Sequence, residues 1–139
     1  MYCPWHAAAF SVVTGALEGA PGQDGLPRFD ITERDGKFFV QVPLNLPRSE
    51  TQALAKRDPN DKRRYVIIGG GPAGLFCAET LRQSNYTGEI VIISDEQIVP
   101  YDRTLLSKAL VTGNASNFKL RKEDFLLNAD IDVKLGVRA

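Results

Sequence analysis

The chain has 139 residues, with 17 basic and 17 acidic side chains, so its formal net charge is zero. A surface that neutralises nucleic-acid phosphates needs a basic excess, and this composition supplies none. Hydrophobic residues make up 43 %, which argues against a disordered chain, and no apolar run approaches the roughly 20 residues of a membrane-spanning helix.

The chain opens on YCPWHAAAF (2–10), which sets Cys3 and His6 at C-x2-H spacing around Pro4 and Trp5. Such a pair looks like half of a metal site. Tetrahedral zinc usually takes four Cys or His ligands, and a 2Fe–2S cluster with mixed ligands takes two cysteines and two histidines. The chain holds one histidine and two cysteines, and the second, Cys77, falls in a predicted helix. It therefore cannot complete either site with Cys and His alone. Two cysteines are too few for a disulfide scaffold, so the compartment reads as reducing. No basic stretch followed by an apolar core marks a secretory leader.

EGAPGQDGLP (18–27) reads as a loop, dense in Gly and Pro. PRFDIT (27–32) and KFFVQVP (37–43) are strand candidates, and Asp35-Gly36 between them is a tight-turn pair, which predicts a hairpin. Residues 45–62, NLPRSETQALAKRDPNDK, are mostly polar and carry Pro47 and Pro59. They read as a linker with a short helical turn over Ser49–Lys56, or else as a surface loop within one domain.

From residue 63 onward, strand and helix alternate. RYVIIGG (64–70) is a short apolar run ending in glycine, as buried parallel strands do. PAGLFCAETLRQSN (72–85) has helical spacing, with an apolar face that includes Phe76, Cys77 and Ala78. EIVIISDE (89–96) and DIDVKLG (130–136) are further strands, and LLSKALVTG (105–113) is a short helix. The predicted organisation is a β-rich block over 1–44, a linker over 45–62, and the start of a βαβ dinucleotide fold over 63–139.

VIIGGGPAG (66–74) carries Gly69, Gly71 and Gly74 at G-x-G-x-x-G spacing, with Pro72 and Ala73 inside the loop. The first glycine allows the strand-to-helix turn. The second lets the backbone approach a pyrophosphate, and the third lets the helix pack closely on the strand. The helix N-terminus then offers free N–H groups and the positive end of its dipole to phosphate charge. Asp95, 21 positions after Gly74, stands where a carboxylate hydrogen-bonds the ribose of an adenosine, and Glu96 is the neighbouring candidate. FAD and NAD share this fingerprint. The alternative is a glycine-rich turn with no ligand.

VPYDRTLLSKAL (99–110) resembles the P-Y-x-R-P-P-L-S-K segment of FAD-dependent ferredoxin-reductase-type flavoproteins, which include the apoptosis-inducing-factor group. The resemblance implies FAD as cofactor, with Arg103 and Lys108 against its flavin half. A lysine there would stabilise negative charge on the reduced ring. Thr104 and Leu105 replace the two prolines, which predicts a looser segment. The alternative for both cations is a solvated charged loop.

CPWHAAAFSVVTGALEGAP (3–21) resembles the second half of a Rieske domain, where C-P-W-H-G-A-x-F, a T-G turn and a G-P-rich loop precede a last hairpin. Thr14-Gly15, Ala20-Pro21 and the turn at Asp35-Gly36 follow that order, and Ala7 stands where the family has glycine. The match implies that Cys3 and His6 are ligands on different irons of a 2Fe–2S cluster, shielded by Trp5. The partner motif, C-x-H, would lie upstream of Met1, so a cluster is expected only if the missing ligands are supplied.

The two resemblances together imply the C-terminal half of an all-β Rieske domain followed by the first βαβ unit of an α/β FAD-binding Rossmann-like domain. Such flavoproteins continue into an NAD(P)H-binding domain, so this chain alone is expected to be inactive. The implied function is oxidoreduction, passing electrons from NAD(P)H through FAD to the 2Fe–2S centre or to another one-electron acceptor protein. Two other readings stand beside it: a non-catalytic fragment that binds FAD or ADP, and a dimer that holds zinc through two copies of Cys3 and His6. Pieces this short bury little core without a metal, cofactor or partner. The choice between NADH and NADPH, the acceptor, and the choice between cytoplasm and mitochondrion stay open.

Overall fold

The computed structural model describes residues 1–46, 49–109 and 118–139. It divides into two units, Met1–Ala53 and Leu54–Ala139.

In the first unit the chain closes on itself at once. The Ala7 N–H donates to the Cys3 carbonyl at 2.9 Å, and the Cys3 N–H donates to the Ala8 carbonyl at 2.8 Å. This closure puts Ala7 at φ 62°, in the left-handed region. An L side chain there costs on the order of 1 kcal/mol, which glycine avoids. Ala7 therefore carries a backbone strain that a glycine there would avoid.

β1 (Ala9–Phe10) pairs antiparallel with β2 (Leu17–Gly19). This corrects the loop predicted over 18–27, because Glu18 and Gly19 belong to a strand. The turn over Ser11–Ala16, closed by Ser11 N–H to the Ala16 carbonyl at 2.9 Å, returns the chain directly onto β1. The Gly- and Pro-rich residues that follow hid this from a compositional reading.

β3 (Ile31–Arg34) and β4 (Lys37–Val40) form the predicted hairpin, with Arg34 opposite Lys37. Asp35 and Gly36 both have positive φ, at 52° and 67°, as the two central residues of a tight type I′ turn require. Both faces of the hairpin meet solvent, and Phe38 is 73 % exposed. Ala8 is the sole fully buried apolar side chain among the described residues of this unit. Backbone pairing therefore holds the unit more than a core does, and isolated two-stranded pairs are marginal in water.

The helical turn predicted over Ser49–Lys56 does not form. Glu50 exchanges two backbone hydrogen bonds with Gly25, each of 3.0 Å, and the Ala55 N–H donates to the Arg82 carbonyl at 3.0 Å. These long-range partners take the backbone groups that a local turn would have used.

The second unit contains β5 (Arg64–Ile68), α1 (Pro72–Gln83), β6 (Glu89–Ile93), a 3-10 turn (Arg103–Leu105), α2 (Leu106–Ala109), α3 (Glu123–Asn128) and β7 (Ile131–Lys134). The strands form a parallel sheet in the order β5-β6-β7, as a doubly wound fold begins. The predicted helix over 105–113 starts as α2, and its part beyond residue 109 lies outside the described residues.

Ile90 and Ile92 of β6, Ile131 of β7, Leu75 and Ala78 of α1, and Leu126 of α3 make one buried cluster. Ile67 and Val133, in register with Ile92, pack against the same cluster. On the other face, Val66 is 51 % and Ile68 74 % exposed. Cys77, predicted on the apolar face of α1, is exposed; the buried positions are Leu75, Ala78, Glu79 and Arg82. α1 ends at Gln83, and Asn85 just beyond its Ser84 cap has φ 60°, a conformation that asparagine tolerates after a helix end.

Arg82 is 0 % exposed. Its Nε donates to the Ala129 carbonyl at 2.9 Å, and one terminal nitrogen donates to the carbonyls of Tyr86 at 2.7 Å and Gly88 at 2.9 Å. The other donates to the Asp130 carbonyl at 2.7 Å. Burial pushes the guanidinium pKa down, opposed mainly by the nearby Asp130 carboxylate. One side chain thus joins the end of α1, the approach to β6 and the approach to β7.

Candidate nucleotide-binding site

The turn from β5 into α1 is built as the glycine spacing predicts. Gly69 has φ +120°, a conformation that side chains avoid, and its N–H donates to the Ile93 carbonyl at 2.8 Å. A Cβ on Gly74 would stand 2.2 Å from the Gly69 carbonyl oxygen and 3.4 Å from Ile67 Cγ2. Close approach of helix and strand therefore requires glycine at 74. A Cβ on Gly71 would meet only the Arg103 guanidinium, at 3.7 Å. At Gly74 there is no room for a side chain, whereas at Gly71 packing does not exclude one and the space above the backbone is open.

Gly71 is the residue before the helix, and no side chain caps it. Pro72 takes the first helical position, where the absent N–H loses nothing. Ala73 and Gly74 follow in the first turn, where N–H groups have no helical partner and the dipole is positive. The loop therefore presents donors and partial positive charge to an open approach, which suits an anionic group.

A cleft of about 200 Å³ lies at the carboxyl ends of β5 and β6, lined in part by Ile68, Gly69, Ser94, Asp95 and Val137. Asp95 is exposed on its rim, and no hydrogen bond or ion pair engages its carboxylate among the described residues. Glu96 is committed elsewhere. It forms an ion pair with Arg103 and is hydrogen-bonded to the Tyr101 phenol, which, with burial, pushes the tyrosine pKa up. The structure thus separates Asp95, the first candidate by spacing, from its neighbour Glu96.

Arg103 sits over the Tyr101 ring, 5.6 Å from its centroid, and reaches the glycine turn at Gly71. Lys108 is exposed on α2, and no described contact joins it to the loop. The predicted loosening at Thr104 is countered by Asp102, whose carboxylate accepts from the Thr104 N–H at 2.9 Å and from its hydroxyl at 2.7 Å. Asp102 thereby caps the turn that carries Arg103. The D-x-T spacing was the available sequence signal, and the missing prolines drew attention away from it.

Cys3 is half-buried and His6 exposed on the first unit's opening loop. Trp5, expected to shield a cluster, is 85 % exposed. Among the described residues, no group of three or more His, Cys, Asp or Glu side chains converges as a metal site. One Cys and one His do not by themselves match the donor set of a 2Fe–2S centre.

Residues 63–138 match the family model for pyridine nucleotide-disulphide oxidoreductases. Human apoptosis-inducing factor 3 is 37 % identical over 139 residues, covering 94 % of this chain and 23 % of that protein. The 3-phenylpropionate/cinnamic acid dioxygenase ferredoxin–NAD(+) reductase component of Photorhabdus laumondii is 40 % identical over 73 residues, covering 52 % of this chain and 18 % of that protein. A crystal structure of the covalent putidaredoxin reductase–putidaredoxin complex matches with a TM-score of 0.50 at 32 % identity, over 57 % of this chain and 19 % of that one. The chain thus spans about a quarter or less of the length of these relatives.

Proposed function

The chain belongs to the pyridine nucleotide-disulphide oxidoreductase family, and on that premise we propose that its second unit holds FAD in an NAD(P)H-dependent electron-transfer flavoprotein. The observation that carries this reading is the open, uncapped turn at Gly71 beside a cleft with the unpaired Asp95 carboxylate on its rim.

In this reading the first-turn N–H groups after Pro72 receive the pyrophosphate, and Asp95 accepts from the ribose hydroxyls. Glu96 serves as the holder of Arg103, and Arg103 adds positive charge beside Gly71. Lys108 is assigned to the flavin side by family resemblance. Bound FAD would accept a hydride from NAD(P)H and release the electrons one at a time. The relatives named as ferredoxin–NAD(+) reductase components support an iron–sulfur protein as acceptor. Residues 1–44 are proposed as the later part of a Rieske domain, supported by the closed Cys3–Ala8 loop and the β3–β4 hairpin. Cys3 and His6 would be half of its ligand set, with the other half supplied from elsewhere.

A second reading is favoured by the same geometry. The glycine turn and Asp95 are the parts an ADP moiety uses, so the chain could hold that half of the cofactor without catalysing transfer.

Titration of the full chain with FAD, followed by flavin fluorescence, tests the proposal. Binding is expected, and Asp95→Ala should weaken it about tenfold by removing a charge-assisted hydrogen bond. Binding of ADP with equal affinity and no gain from the flavin would select the second reading. No binding of either nucleotide would overturn both.

A further inference from the structure

Glu79 and Arg121 form a buried ion pair outside the nucleotide cleft. Arg121 Nε donates to one Glu79 carboxylate oxygen at 3.0 Å and a terminal nitrogen donates to the other at 2.8 Å, in a bidentate fork. The two side chains are only 3 % and 9 % exposed, respectively. The guanidinium also lies over the Phe125 ring, 4.3 Å from its centroid. Burying two charges is costly, and apolar residues of similar volume often serve stability as well or better. Stability alone is therefore a weak reason for this pair, whereas a planar fork fixes direction and distance.

The geometry around the pair shows what it fixes. Glu79 lies on α1, the helix whose first turn forms the phosphate loop. Arg121 directly follows residues 118–120, which pair back onto residues 100–102 through an isolated bridge. The Asp102 N–H donates to the Phe118 carbonyl at 2.8 Å, the Leu120 N–H donates to the Pro100 carbonyl at 3.0 Å, and Tyr101 bridges Lys119. Residues 100–102 and 118–120 are thus the paired base of the excursion that carries Arg103 and Lys108. Arg121 ties that base to α1.

We propose that Glu79 is a positioning residue: through Arg121 it holds the base of the Arg103–Lys108 excursion at a fixed distance from the phosphate loop, and so sets affinity for the flavin-side half of the dinucleotide. The second clause rests on the FAD reading above. The first does not.

The test uses the full chain with Glu79→Gln and with the apolar double variant Glu79→Leu/Arg121→Leu, which keeps volume and removes both charges. Amide hydrogen exchange at Asp102 and Leu120 is expected to accelerate at least tenfold in both, while the melting transition of the double variant stays near that of the parent. FAD affinity should fall about tenfold and ADP affinity should hold, because ADP needs only the glycine turn and Asp95. Unchanged exchange at Asp102 and Leu120 would overturn the positioning role, whatever the ligand results. Faster exchange in a chain that binds neither nucleotide would support that role and sink the FAD reading. Equal losses for ADP and FAD would overturn the flavin-side assignment.

Discussion

Arg82→Met will unfold the second unit under conditions where the parent is folded, with a loss of about 3–5 kcal/mol. Methionine fills much of the volume but donates nothing, so the carbonyls of Tyr86, Gly88, Ala129 and Asp130 lose the guanidinium that serves them. A buried acceptor without a partner costs about 1–3 kcal/mol, and these four share one cation whose side chain is fully buried. Small domains have about 5–15 kcal/mol in total, so this single change removes a large part of the margin. Urea denaturation followed by circular dichroism measures it. A midpoint shift worth under about 1 kcal/mol would show that the carbonyls find other donors and that Arg82 is no cornerstone. Arg82→Lys should recover only part of the loss, since an ammonium cannot span four carbonyls in three directions.

Gly74→Ala and Gly71→Ala are expected to fail differently, and the difference separates packing from binding. At Gly74 the new methyl would stand 2.2 Å from a backbone carbonyl oxygen, which cannot move aside as a side chain can. The helix must lift from β5, at a cost of about 3 kcal/mol, and the nucleotide binding proposed for this turn should fall with it. At Gly71 the methyl meets only the Arg103 guanidinium, at 3.7 Å, and the backbone has the ordinary φ of −95°. That variant should melt with the parent and, on the proposed FAD reading, lose FAD affinity tenfold or more, because the methyl would stand in the path assigned to the pyrophosphate. Thermal melts paired with FAD titrations read both. Undiminished FAD binding by Gly71→Ala would remove the pyrophosphate from this loop.

The parallel strands, the helix between them and the glycine turn were legible because local pattern and tertiary role agree there. The hairpin at Asp35-Gly36 was legible for the same reason. Features set by distant partners were not. The burial of the charged residues Glu79 and Arg82 has no local sign, because partners at Arg121 and Ala129–Asp130, more than 40 residues away, satisfy them. α3 is short, and its Glu123 and Asp124 at the start were its signal, missed beside the polar residues around them. Asp95 was the first candidate by spacing, but Glu96 stayed beside it because what sets them apart comes from Arg103 and Tyr101, which engage Glu96. Side chains whose role is set by a distant partner carry no local pattern to read.

The bare face of the parallel sheet has a thermodynamic consequence. Val66 and Ile68, like Phe38 and Phe39 of the hairpin, are already hydrated in the folded chain. Unfolding therefore exposes less new apolar surface than is usual for a chain of this length. The heat-capacity increment of unfolding, which follows that newly exposed area, should fall below the usual ~12–15 cal/mol/K per residue. The stability curve then becomes a low, broad dome: modest at its maximum, slow to decline on cooling, and spread over a wide, shallow melting transition.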